Sequence, residues 1–141
     1  GKTITELDAE SRLKPPDFDA AYIILGWASR EEMYARTDAR VDEMVSLGLF
    51  EEVRRLLDAG LGEGCTAMQA IGYKEAAAAL RGECSRAEAV ETIKRETRRY
   101  AKRQLTWLRR REGALRIDWQ GEPDFASAVR DSTEYLLRCG I

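Results

Sequence analysis

The chain has 141 residues, 44% of them hydrophobic, and a formal charge of −2, which suits one domain with a sizeable core, or a piece of one, and excludes disorder. It contains no histidine, which excludes Ser-His-Asp triads, histidine-held metals and imidazole bases, and its three cysteines, Cys65, Cys84 and Cys139, are too widely spaced for a disulfide framework or zinc knuckle and fit a reducing cytoplasm. No apolar run approaches the ~20 residues of a membrane span, and Gly1–Glu10 lacks the apolar stretch of a signal peptide.

Gly1-Lys2-Thr3 are the last three letters of a phosphate-binding loop, but such a loop needs an upstream glycine, a preceding strand and a following apolar helix. Ile4–Glu10 is polar and short, so no nucleotide cradle is expected there. Lys14-Pro15-Pro16-Asp17 reads as a linker, because two prolines fix φ and remove donors. Ala20–Trp27 is a continuous apolar run with β-branched residues, which marks a strand buried on both faces. The only comparable run is Leu115–Trp119. The fold expected is therefore mainly α-helical with two short strands, Tyr22–Gly26 and Leu115–Asp118, adjacent and parallel. Two strands make a poor sheet alone, so the chain reads as a fragment of a larger sheet whose open edges invite pairing with a second copy.

The helices between the strands carry their own start and stop signals. Ser29 is an N-cap with Glu31 and Glu32 in the first turn, and an apolar stripe of Met33, Val41, Met44 and Val45 ends at Leu47-Gly48. Arg36 and Arg40, four apart, share a face. They read either as partners of Glu32, Asp38 or Asp42, or as two guanidiniums aimed at a phosphate group. A second helix, Leu49–Ala59, is closed by Gly60, Gly62 and Gly64. Thr66–Glu75 then leads into an alanine-rich helix ending at Arg81-Gly82. Gly72, between Ile71 and Tyr73, costs about 1 kcal/mol inside a helix, so it serves either close helix packing or close approach of a ligand to the backbone.

Ser85 and Glu88 form a capping box for a long helix that includes Lys94–Arg111. That stretch holds nine of the 23 basic residues and one acid, a charge of +8 against a chain total of −2, which leaves −10 elsewhere. At about 100° per residue, Arg95, Arg98, Arg99, Lys102, Arg103, Arg109 and Arg110 fall on one arc and Ile93, Thr97, Ala101, Gln104 and Leu108 on the opposite one. So dense a cationic arc, with few acids to relieve it, points to a polyanion, with nucleic acid the first suspect; a solvated helix face is the plain alternative. After Trp119, a turn at Gly121-Glu122-Pro123 leads to a last helix, Asp124–Arg138, expected to turn Phe125, Val129, Leu136 and Leu137 inward.

Four segments, GKTITEL (Gly1–Leu7), RTDARVDEMVSLGLFEEVRRL (Arg36–Leu56), AMQAIGYKE (Ala67–Glu75) and TRRYAKRQLTWLR (Thr97–Arg109), run in register with one family. The chain resembles the C-terminal part of bacterial enzymes of the tRNA isopentenyltransferase (tRNA dimethylallyltransferase) family. The resemblance implies transfer of a dimethylallyl group from its diphosphate to N6 of adenosine 37 of tRNA. It also implies an N-terminal α/β core, absent from this chain, that holds the phosphate-binding loop, an aspartate base and Mg2+. Gly1-Lys2-Thr3 then corresponds to a downstream motif. No catalytic residue, metal or cofactor is expected in the chain, and no prenyl transfer by it alone.

On the same resemblance, residues 1–28 return to the core with one strand, 29–112 form a helical tRNA-binding part, and 113–141 give the last core strand and a helix. The contacts to tRNA, at its anticodon stem-loop, fall on Gln69, Ala70, Ile71, Gly72, Tyr73 and Lys74. A second set falls on Lys102, Arg103, Gln104, Leu105, Thr106, Trp107, Leu108 and Arg109. Gln69 departs from an arginine of some relatives. Arg40 takes the place of a family arginine that recognises the diphosphate, with Arg36 beside it. Trp107 lies at the border of the two arcs and is expected to be buried, the alternative being a stacking platform for a splayed base. The whole protein is expected to be a cytoplasmic monomer, and its C-terminal fragment to be open to dimer formation through unpaired strands. A stand-alone helical RNA-binding module without catalysis is the alternative function. The zinc finger of animal and fungal relatives is ruled out by the lack of histidine.

Overall fold

The computed structural model describes residues 2–13, 18, 20–62 and 64–141; the Lys14–Asp17 linker and Gly1 lie outside the described residues. The elements are α1 (Ile4–Leu13), β1 (Ile23–Trp27), α2 (Arg30–Ser46), α3 (Leu49–Asp58), a 3-10 turn (Thr66–Gln69), α4 (Tyr73–Leu80), α5 (Arg86–Leu108), β2 (Leu115–Trp119) and α6 (Phe125–Arg138). As expected, β1 and β2 are adjacent and parallel, in register from Ile23 opposite Leu115 to Trp27 opposite Trp119.

Cap chemistry sets the helix starts. Ser29 Oγ accepts the Glu32 N–H at 3.0 Å. Ser85 Oγ accepts the Glu88 N–H at 3.2 Å, while the Ser85 N–H donates to Glu88 Oε2 at 2.8 Å, closing the capping box. Those bonds to Ser85 hold the Glu88 carboxyl below the ordinary carboxylate range. The polar stretch after Thr3 is helical rather than irregular. The reason is a second capping box, with the Thr3 N–H donating to Glu6 Oε2 at 2.7 Å and Thr3 Oγ1 accepting the Glu6 N–H at 3.3 Å.

The core is formed by α2 to α5: Val41, Leu49, Phe50, Val53, Met68, Ala76, Ala77, Ala89 and Ile93 make one buried cluster. The alanines of α4 let it lie close against α5, since a short side chain allows helices to approach. Two burial expectations fail at the sheet. In β1, Ile24 and Gly26 are buried but Leu25 is 52% exposed, because α6 packs on β2 and leaves the outer face of β1 open. For the same reason α6 buries Ala128, while Phe125, Val129 and Leu137 stay largely exposed and Leu136 is half-buried. Phe125 does meet Trp119 edge to face, with ring centroids 5.5 Å apart.

Gly72 is not inside a helix. It is the N-cap of α4 with φ 103° and ψ −50°, and an added Cβ would meet only Leu49 and Met44 atoms at 3.8 Å, an ordinary contact. The glycine is required by its backbone angle, not by close packing. Gly72→Ala is expected to cost about 1–3 kcal/mol, read by urea denaturation; a loss below about 0.3 kcal/mol would show that the turn relaxes freely.

Candidate nucleic-acid interface

The basic helix α5 is divided along its length. As far as Arg99 the cations are held by acids. Lys94 Nζ lies 2.7 Å from Asp42 Oδ1, and the Arg98 guanidinium donates to both carboxylate oxygens of Asp38 at 2.6 Å. The hydrogen bond to Asp42 holds the Lys94 ammonium above the usual lysine range against the opposing effect of desolvation. Arg99 pairs with Glu96 at 2.8 Å and Arg95 approaches the same carboxylate at 3.5 Å. The expectation of one unrelieved cationic arc is therefore corrected. Asp38 and Asp42, four apart on α2, face Arg98 and Lys94, four apart on α5, and this matched spacing was visible in the sequence.

From Lys102 to the residues just past the helix end the picture reverses. Among the described residues no ion pair engages Lys102, Arg103, Arg109 or Arg110. Arg99, Lys102, Arg103, Thr106, Trp107 and Arg110, successive side chains on one helical face, border a shallow open groove of about 490 Å³ between them. The inner edge here runs through Ala101, Leu105 and Leu108, all half-buried, whereas Gln104 is exposed, because the apolar stripe continues by steps of four and three rather than through position 104.

Trp107 is 56% exposed, which corrects the expectation of a buried ring. The Arg111 guanidinium lies over it at 4.2 Å and over the Tyr22 ring at 4.8 Å. Neither Arg111 nor Tyr22 stood out as a candidate in the sequence, since their meeting depends on the return of the chain to β2. Trp107→Ala is expected to lower stability by about 1 kcal/mol or less, against the 3–5 of a core tryptophan. Thermal melting of the variant measures it.

The segment Gln69–Lys74 sits apart from that groove. Gln69 ends the 3-10 turn, Ala70 is extended, and Ile71 and Gly72 lead into α4. The Gly72 N–H donates to Oε2 of the buried Glu75 at 2.8 Å. Tyr73 Oη donates to Glu52 of α3, and this bond raises the Tyr73 pKa above its ordinary value. Gln69, Lys74 and Arg81 border a smaller cavity of about 200 Å³ with Met68 and Ala77. α4 packs against α5 near Ala89 and Ile93. Leu105 lies twelve residues further on, about 18 Å along the helix, so a ligand touching both segments must span that length.

Arg36 and Arg40 share a helix face but take different partners. Arg36 donates to the Gly121 carbonyl at 2.8 Å, meets Glu122 at 3.3 Å and lies 4.0 Å from the Trp27 ring centroid, tying α2 to the turn after β2. Arg40 pairs with Glu43 at 2.9 Å, its side chain 67% exposed. Among the described residues no three carboxylate, thiol or imidazole groups come together to hold a metal ion. No described helix is long and apolar enough to cross a membrane.

The IPP transferase family matches residues 1–111. A tRNA dimethylallyltransferase of Acetivibrio thermocellus is 42% identical over 144 aligned positions, covering 99% of this chain and 44% of that protein. One from Geobacillus kaustophilus is 44% identical over 119, covering 84% of this chain and 37% of its own length. Among solved structures, the full-length tRNA isopentenylpyrophosphate transferase of Bacillus halodurans superposes with a TM-score of 0.80 at 35% identity, covering 92% of this chain and 42% of that one. The tRNA delta(2)-isopentenylpyrophosphate transferase of Staphylococcus epidermidis gives 0.76 at 33%, covering 94% and 43%. The chain thus spans less than half the length of these relatives. With a family match over residues 1–111 of 141 and a TM-score of 0.80 to a solved relative at 35% identity, the chain belongs to the IPP transferase family.

Proposed function

We propose that this chain is the tRNA-binding part of an enzyme that moves a dimethylallyl group from dimethylallyl diphosphate to N6 of adenosine 37 of tRNA in the cytoplasm. In that reaction the N6 nitrogen bonds to C1 of the allyl group as the C1–O bond breaks, diphosphate leaves with the electron pair, and the N6 proton passes to a base. The residues of this chain supply binding. The second half of α5 takes phosphates of the anticodon stem-loop, and Gln69–Lys74 forms a second contact. Arg40 reaches a diphosphate oxygen by exchanging Glu43 for it. The observation that carries the reading is the set Lys102, Arg103, Arg109 and Arg110, which no ion pair engages among the described residues, in a family of tRNA-modifying enzymes. The magnesium ion that accompanies the diphosphate has no ligand set among the described residues.

A self-contained buried cluster within α2 to α5 favours RNA binding by this chain on its own. Titration with tRNA at two salt concentrations tests this: binding that weakens as salt rises is expected, and negligible, salt-insensitive affinity would overturn it. In the whole enzyme, Arg40→Ala is expected to raise KM for dimethylallyl diphosphate by roughly 10- to 100-fold, as loss of a charge-assisted hydrogen bond does, and to change KM for tRNA little. Unaltered diphosphate kinetics would leave Arg40 with Glu43 alone.

A further inference from the structure

Resting on the reading that the second half of α5 binds RNA, the geometry points to a nucleobase-stacking site at Trp107, built and held by Tyr22 and Arg111 as positioning residues. An indole has two faces. Arg111 covers one, its guanidinium 4.2 Å from the ring centroid. The same guanidinium lies 4.8 Å from the Tyr22 centroid, so the cation ties the end of α5 to the start of β1. The Tyr22 main chain is anchored, since its carbonyl accepts the Leu115 N–H at 2.9 Å at the head of the sheet. The indole is therefore gripped from one side by the electrostatic attraction of a cation to two rings.

With 56% of Trp107 exposed, the remaining face opens on the groove it shares with Lys102 and Arg103. A flat apolar face beside two cations that no described acid engages, one of them Arg103 lying 5.6 Å over the Tyr100 ring, matches one unpaired nucleobase with its flanking phosphates. Paired bases are excluded, because their faces are covered by neighbours in the stack. A merely structural tryptophan would be expected to turn this face inward; here the clasp holds it outward.

The test uses the purified chain and a single-stranded RNA carrying 2-aminopurine, whose fluorescence falls when the base stacks on an indole. Binding is expected to quench it. Trp107→Leu is expected to abolish the quenching at saturation and weaken binding by roughly 5- to 100-fold. Arg111→Ala and Tyr22→Ala are expected to reduce both, while Tyr22→Phe, which keeps the ring, retains both; circular dichroism of each variant reports folding. Lys102→Ala is expected to weaken binding and leave the quenching at saturation intact. Full quenching in Trp107→Leu overturns the platform and leaves RNA binding standing. A Tyr22→Phe variant as impaired as Tyr22→Ala overturns the positioning role. Absence of RNA binding by the unaltered chain overturns the RNA reading and the platform with it.

Discussion

Replacing Phe50 by alanine is expected to remove about 3–5 kcal/mol of stability, the cost of emptying a site that the surrounding helices cannot close. Phe50 is 2% exposed, beside Val53 at 0%, and the Arg86 guanidinium lies 4.8 Å over its ring. The ring joins the cluster shared by α2, α3, α4 and α5, so its loss is felt by every helix of that unit. A domain of this size is stable by about 5–15 kcal/mol, which makes the change a large share of the total. Urea denaturation should show a lower midpoint with an unchanged slope. A loss below about 1 kcal/mol would mean that the cluster repacks and does not hold the helices in register.

The second large effect concerns binding. Lys102→Ala with Arg103→Ala is expected to flatten the salt dependence of tRNA binding by about 1.4–1.8 in the log–log slope, roughly 0.7–0.9 for each phosphate contact removed. Among the described residues neither side chain has an acid to release first, so each charge lost is a counterion no longer displaced. Arg98→Ala is the contrast. Its guanidinium is already committed to Asp38, so its removal should appear in thermal melting and leave the slope nearly unchanged. An unchanged slope in the double variant would mean that this face of α5 does not meet RNA.

The sequence made some of this legible and hid the rest for definable reasons. The apolar runs Ala20–Trp27 and Leu115–Trp119 announced a parallel pair because they stood out against a helical period, and Ser29 and Ser85 announced helix starts through local chemistry. The division of α5 was not read, although the Asp38 and Asp42 spacing displayed it, because a charge count along one helix ignores which residues another helix brings to it. Trp107 was misplaced because a residue at the edge of an apolar arc is buried or exposed according to its neighbours, and helical period alone says nothing of them. The failure of Phe125, Val129 and Leu137 to turn inward has the same origin: an apolar stripe specifies that a helix has a face, not that a partner covers it.

The pairing of Ile23 with Leu115 has a consequence for the order in which the molecule assembles. Closing so long a span of flexible chain costs on the order of 4 kcal/mol in entropy before the first ladder bond forms, and five paired residues return little against it. Once α2 to α5 have condensed, the connection is no longer flexible but a rigid body, and most of that entropy has already been lost to helix packing. The strands are thus the last part to form and the first to open. Opening β1 from β2 also frees Tyr22, so the grip on the indole at the far end of α5 is only as durable as the final step of folding.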